Sequence, residues 1–192
     1  MRRERLDRDY FENLYAQSID PWDFETSEYE HRKYERTLGV LGDRRFHRGF
    51  EVGSSIGIFT AMLAGSCDEL LAVDTSQKAV EIASERLAEH SHVRVERRTL
   101  PEEMPEEPFD LIVASEVLYY WPRDVVLEAL RSFEEILAQG GVLVAVHWRK
   151  ETRTYPLQGD EVHELLVRHA CLVNVKTIKE PEYRLDVFCD VA

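Results

Sequence analysis

Two short stretches hold residue types that could do chemistry. The first is Glu51-Val52-Gly53-Ser54-Ser55-Ile56-Gly57, followed about twenty residues later by Asp74. A ligand lying across the carboxyl end of a strand must approach the backbone closely, and glycine permits this. Gly53 is placed to make the turn, and Gly57 to let the following helix pack against its strand. Asp74 ends the next apolar run, where a carboxylate can accept both hydroxyls of a ribose. The second stretch is Ser115-Glu116-Val117-Leu118-Tyr119-Tyr120-Trp121, with His147-Trp148 closing a later apolar run. A carboxylate or an imidazole can steer and accept a proton, and aromatic faces suit sugar rings and cationic centres.

Each stretch has competing readings. The pattern GxGxxG is not intact, because Ser55 replaces its middle glycine. A dinucleotide-binding Rossmann enzyme would use the same Asp74. A plain tight turn would explain the glycines but leave Asp74 coincidental. Gly53-Ser54-Ser55-Ile56-Gly57 also matches GxSxG, a hydrolase elbow with Ser55 as nucleophile, although that elbow normally follows several strands. In the second stretch, Tyr119 and Tyr120 could pack a sheet edge, Glu116 could cap a segment, and His147 could be a satisfied core histidine.

The elements that must position these residues follow from periodicity. From Phe50 onward, short apolar runs alternate with amphipathic stretches, the pattern of stacked βαβ units. Strands are expected at Phe50 to Val52, Leu70 to Val73, around Val93 and Val95, at Leu111 to Ala114 and at Val142 to Val146. Helices are expected through Phe59, Met62 and Leu63, and through Ala79, Ile82, Ala83 and Leu87, capped by Thr75 or Ser76. A third carries Val126, Leu130, Phe133 and Leu137 on one stripe, stopped by Gly140-Gly141. Leu172 to Ile178, a turn at Glu180-Pro181-Glu182, and alternating Leu185, Val187, Cys189 and Val191 can only be an antiparallel hairpin. Before all this lie Tyr10, Phe11, Tyr15, Trp22, Phe24, Tyr29 and Tyr34, read as two short helices around a loop at Ile19 to Thr26. These aromatics are either core or a lid.

Composition narrows the partners. The chain has 192 residues, 44% of them hydrophobic, which suits one domain with a substantial core and excludes disorder. A net charge of -13 disfavours nucleic acid, and Arg44, Arg45, His47 and Arg48 read as a solvated loop. No apolar run would span a bilayer, and none follows the charged N-terminus as a signal peptide would. Cys67, Cys171 and Cys189 are widely spaced, which suits free thiols in a reducing cytoplasm. His163 and His169 are six apart and His90 and His92 flank a loop, so no metal is inferred. A small-molecule acceptor is expected, bound by a monomer or a homodimer.

Phe109-Asp110-Leu111-Ile112-Val113-Ala114-Ser115-Glu116-Val117-Leu118-Tyr119-Tyr120, with Asp20-Pro21-Trp22 and Glu51-Val52-Gly53, resembles the NodS-type methyltransferases. Their namesake methylates the free amine of a deacetylated chitooligosaccharide. The resemblance implies an α/β, Rossmann-like fold that binds S-adenosylmethionine (SAM): a mostly parallel seven-stranded sheet, a C-terminal antiparallel hairpin and an N-terminal helical lid. It implies one domain, with residues 1–45 as cap and 46–192 as core. The cofactor set becomes Glu51, Gly53, Ser55, Gly57, Asp74, Thr75, Thr99, Leu100 and Ser115. Glu51 lies near the methionine end, and Thr99 stands where relatives often carry an acidic residue for the adenine amine. The activity implied is methyl transfer to an amine nitrogen, in preference to oxygen, of an amino sugar or similar metabolite. Glu116 would hold the ammonium and His147 assist its deprotonation, with Tyr119 beside them. Tyr120, Trp22 and Tyr29 would shape the substrate pocket. A SAM-binding module without catalysis, or a serine hydrolase using Ser55, are the alternatives.

Overall fold

In the computed structural model, which describes residues 4–191, the chain divides into two units. One is Asp7–Thr99; the other is formed by Leu100 onward together with residues 4–6.

The first unit contains α1 (Arg8–Gln17), α2 (Glu28–Leu41), β1 (Phe46–Val52), α3 (Ile58–Leu63), β2 (Cys67–Asp74), α4 (Gln77–Arg86) and β3 (Val93–Arg97). β2 pairs in parallel with both β1 and β3. Side chains cap the helices as their types suggest: Asp7 accepts from the Tyr10 amide, Ser27 from Glu30 and Ser76 from Ala79. Phe11, Tyr15 and Tyr34 are buried, so these N-terminal aromatics belong to the core of their unit. Tyr34 stacks on Phe59 of α3. β1 starts earlier than its apolar run suggested. His47 and Arg48 lie within the strand rather than in a loop, and Arg48 reaches Glu69 of β2 at 3.0 Å. Cross-strand charge pairing makes strand residues of what composition reads as a polar loop.

The second unit contains β4 (Phe109–Ser115), α5 (Arg123–Ile136), β5 (Leu137–Trp148), α6 (Gly159–His169), β6 (Val173–Lys179) and β7 (Tyr183–Cys189). β4 and β5 are parallel, whereas β7 runs antiparallel to both β5 and β6. The expected hairpin is therefore present, and the seven strands have the anticipated mostly parallel character with an antiparallel end. α5 buries Val126, Leu130 and Phe133. It stops at Ile136, because Leu137 is already extended (φ -75°, ψ 122°), and the Gly140-Gly141 pair lies inside β5 instead of ending the helix. β7 also departs from strict alternation, since Tyr183 to Phe188 are all buried. It is flanked by strands on both sides, and its polar residues are paired internally, as described below.

α6 begins unusually close to β5. A Cβ built on Gly159 would lie 2.0 Å from the Trp148 carbonyl oxygen and 3.2 Å from the His147 Cβ. Only glycine permits that approach, which brings α6 onto the carboxyl end of β5. Among the described residues, no helix is long and apolar enough to cross a membrane.

Candidate functional site

The glycine loop follows β1. The Gly53 and Ser54 amides both donate to the Val73 carbonyl, at 2.8 and 2.9 Å, so the loop folds back over the end of β2. Gly53 and Gly57 have φ of 79° and 80°, as the turn demands. Gly57 packs on a different partner from the one expected. A Cβ at this position would lie 3.1 Å from the Cβ of Ala83, so the glycine admits helix α4 rather than a strand. Ser55, standing in place of the missing glycine, nevertheless adopts the left-handed conformation, with φ 49°. Two contacts hold it there. Its amide donates to Asp74 Oδ2 at 2.9 Å, and its hydroxyl accepts from the Tyr15 phenol at 2.6 Å.

Asp74 also accepts the Ser76 amide at 2.9 Å through Oδ1. Burial pushes its pKa up to about 6, against the lowering effect of the Ser76, Ser55 and Thr75 amides. Thr75, next to Asp74 in the chain, and Thr99 share a hydroxyl contact at 3.1 Å. α1 supplies another carboxylate to the same region: Glu12 accepts the Gln77 amide at 2.6 Å and the Ser76 hydroxyl at 3.1 Å. No sequence signal marks this role of Glu12, because the contact joins helices far apart in the chain.

Glu51 is buried on β1. Burial drives its pKa to about 8, opposed by the Thr60 hydroxyl, and its Oε2 has no hydrogen-bond partner. Trp22 stacks on Phe24 and meets Tyr15 edge-on, which links it to the loop through the Tyr15–Ser55 bond. Tyr29, on α2, lies beneath the Lys33 ammonium, 5.3 Å from its ring centre, a contact within its own helix.

The second unit gathers the other candidates. Glu116, just after β4, has φ 57°. Its Oε2 accepts both the Tyr119 phenol at 2.6 Å and the Trp148 amide at 2.9 Å. Leu118–Tyr120 forms a 3-10 turn. Tyr119 meets Tyr120 edge-on at 4.7 Å and stacks on Tyr155 at 4.9 Å. Tyr155 lies in the irregular stretch before α6, where no periodicity could have revealed it. Burial pushes the Tyr119 and Tyr120 phenols well above their ordinary range, with the Glu116 charge adding to the effect. Ser115 is half-buried at the end of β4, and Leu100 is buried with its carbonyl accepting from Arg5.

His147 is fully buried, and both of its ring nitrogens are engaged. The Leu118 amide donates to Nε2 at 3.1 Å, and Nδ1 faces His163 Nε2 at 3.2 Å. His163 Nδ1 in turn meets Asp186 Oδ2 at 2.8 Å. A histidine held this way supports the turn and has no nitrogen left to act as the expected base. Among the described residues, no cluster of side chains suits a metal ion.

The Nodulation protein S (NodS) family pattern matches residues 7–156. Nodulation protein S of Bradyrhizobium diazoefficiens is 37% identical over 128 residues, 65% of this chain and 61% of that protein. The Sinorhizobium fredii protein of the same name is 30% identical over 128 residues, covering 65% and 59%. The chain thus spans about three fifths of the length of these relatives. The crystal structure of N-methyltransferase NodS from Bradyrhizobium japonicum, in complex with S-adenosyl-L-homocysteine (SAH), superposes with a TM-score of 0.85 at 25% identity, covering 94% of this chain and 98% of that one. A putative methyltransferase from Pseudomonas syringae gives 0.76 at 35% identity, covering 85% and 99%. The fold is that of the SAM-dependent methyltransferases, and the chain belongs to the NodS family.

Proposed function

We propose that the chain is a SAM-dependent N-methyltransferase, acting as one domain on the amine nitrogen of a small polar acceptor of the amino-sugar class. The observation that carries this reading is its likeness to the NodS N-methyltransferase, whose structure holds SAH.

The residues of the glycine-loop unit fit a nucleoside with a cationic tail. The Asp74 carboxylate uses two acceptor positions on Ser55 and Ser76. The Thr75 amide also acts on it, and a carboxylate has about four such positions, so acceptor capacity remains for the ribose. The unpartnered oxygen of Glu51 suits the ammonium of the methionine moiety, and that charge would favour the ionised form of Glu51. Thr75 and Thr99 offer hydroxyls to the adenine. When bound, SAM supplies an electrophilic methyl group, so the protein has mainly to align donor and acceptor and exclude water. Glu116 is the acceptor-binding carboxylate: it attracts the incoming ammonium and takes up its proton before attack, with Tyr119 fixing its orientation. His147 holds the turn.

Incubation with SAM and a panel of amino sugars, simple amines and hydroxyl compounds tests the proposal. SAH released with amines but not with hydroxyl compounds is the expected result. Tight SAM binding without turnover on any acceptor would identify a non-catalytic module, and absence of binding would refute the reading altogether.

A further inference from the structure

A buried hydrogen-bond chain runs behind the Glu116 turn, and its two ends fix every proton within it. At one end, the Leu118 amide can only donate, so His147 Nε2 must be bare and Nδ1 must carry the proton. At the other end, Asp186 is an acceptor: burial alone would raise its pKa, but hydrogen bonds from His163 and Thr177, aided by the Arg184 charge, hold it at about 2. His147 Nδ1–H therefore donates to His163 Nε2 at 3.2 Å, and His163 Nδ1–H donates to Asp186 at 2.8 Å. Both imidazoles are neutral, in agreement with the burial that lowers the His163 pKa. Arg184 pins Asp186 at 2.9 Å, and Thr177 donates to its other oxygen.

Buried ionic groups can often be replaced by apolar ones of the same volume without loss of stability, so stability alone does not account for such a network. It terminates on one atom of functional consequence, the Leu118 amide, in the turn that carries Tyr119 to Glu116. We propose that His163 and Asp186 are positioning residues of the Glu116 site, which set the tautomer of His147 and thereby lock the Leu118–Tyr120 turn. The kinetic part of this proposal rests on the methyltransferase reading; the structural part does not.

Asp186→Leu tests it. His163 and Arg184 share one oxygen of Asp186 and Thr177 donates to the other, so an asparagine could keep the His163 bond, whereas leucine has the same branched shape and no acceptor. Nothing then holds the ring protons on Nδ1, and His147 is free to present N–H against the N–H of Leu118. Nitrogen-15 spectra of the wild-type imidazoles should show Nδ1–H and bare Nε2 on both rings; a protonated Nε2 on either overturns the proposal. In the variant, hydrogen exchange at the Leu118 amide should rise about tenfold or more, with kcat falling about tenfold or more while SAH affinity and acceptor KM hold. Unchanged exchange or unchanged kcat overturns it. Should Asp186→Leu not fold, the wild-type spectra still decide, as does His163→Gln, which cannot span the ring and should release Leu118 in the same way. If the wild-type enzyme methylates no acceptor, the functional reading fails, and the spectra and exchange rates still decide whether the chain locks the turn.

Discussion

Ser55 offers its backbone amide to the Asp74 carboxylate at 2.9 Å from a left-handed conformation. A non-glycine residue there carries a penalty of about 1–2 kcal/mol, which the Asp74 and Tyr15 contacts offset. Asp74 thus shapes the loop, in addition to the ribose contacts proposed for it. Asp74→Ala should weaken SAH binding by about 1–3 kcal/mol, or roughly 5- to 150-fold in Kd, measured by calorimetry. Unchanged affinity would remove the ribose from this carboxylate.

Glu51 makes the ligand-free protein sensitive to pH. Its folded pKa of about 8 lies above the ordinary 4.5, so between those values the folded state keeps a proton that the unfolded chain releases. Stability should therefore fall as pH rises through this window, by up to about 1.4 kcal/mol per unit. Asp74, raised from 3.8 to about 6, contributes with the same sign at lower pH. Urea unfolding at a series of pH values should show the decline, and Glu51→Gln should remove most of its upper part. A wild-type profile that is flat from pH 5 to 8 would contradict the buried, protonated carboxyl.

Glu116→Gln separates charge from two of the hydrogen bonds at this position. Two donors to Glu116, the Tyr119 phenol and the Trp148 amide, meet the same oxygen, so an amide oxygen placed there keeps these bonds while the charge is lost. Turnover with an amine should drop about 100-fold or more while SAM affinity and melting temperature stay close to wild type. A wild-type rate would dismiss the carboxylate from the chemistry.

Ser55 should resist a fluorophosphonate probe. Its hydroxyl accepts from Tyr15, whose phenol is pushed far above its ordinary range by burial and the Asp74 charge and so provides no base. Labelling at Ser55, read by mass spectrometry, would revive the hydrolase alternative.

Gly57→Ala combines two penalties, a left-handed φ of 80° and a contact of 3.1 Å with Ala83. It should cost about 2–4 kcal/mol of stability and weaken SAH binding with it, both checked by denaturation and calorimetry.

The elements that periodicity revealed are those with one apolar stripe or a continuous apolar core, such as the α5 face through Val126, Leu130 and Phe133 and the β4 run Leu111-Ile112-Val113-Ala114. What stayed hidden involved polar groups satisfied across the fold. Arg184 and Asp186 make β7 look one-sided in sequence, because nothing local shows that they pair with each other on that strand or that His163 of α6 joins them. The spacing of His163 from His169 bears only on a shared metal and says nothing of its partners, His147 on β5 and Asp186 on β7. In the glycine loop the residues themselves were legible: Gly53, Gly57 and the carboxylate of Asp74. Glu12 and Tyr15, which brace that loop from α1, were not, since no local pattern announces a contact across dozens of residues.

The carboxylate that Glu12 lays on the first turn of α4 has a selective effect. In nucleotide-binding relatives of this architecture, the end of the second strand is also where an extra 2′-phosphate is welcomed, usually by an arginine. Here the Gln77 amide and the Ser76 hydroxyl already serve an anion belonging to the chain, beside the negative Asp74. A phosphorylated ribose brought to the end of β2 would meet two carboxylates and find those donors taken, a charge pattern that opposes NADP-like molecules at this position.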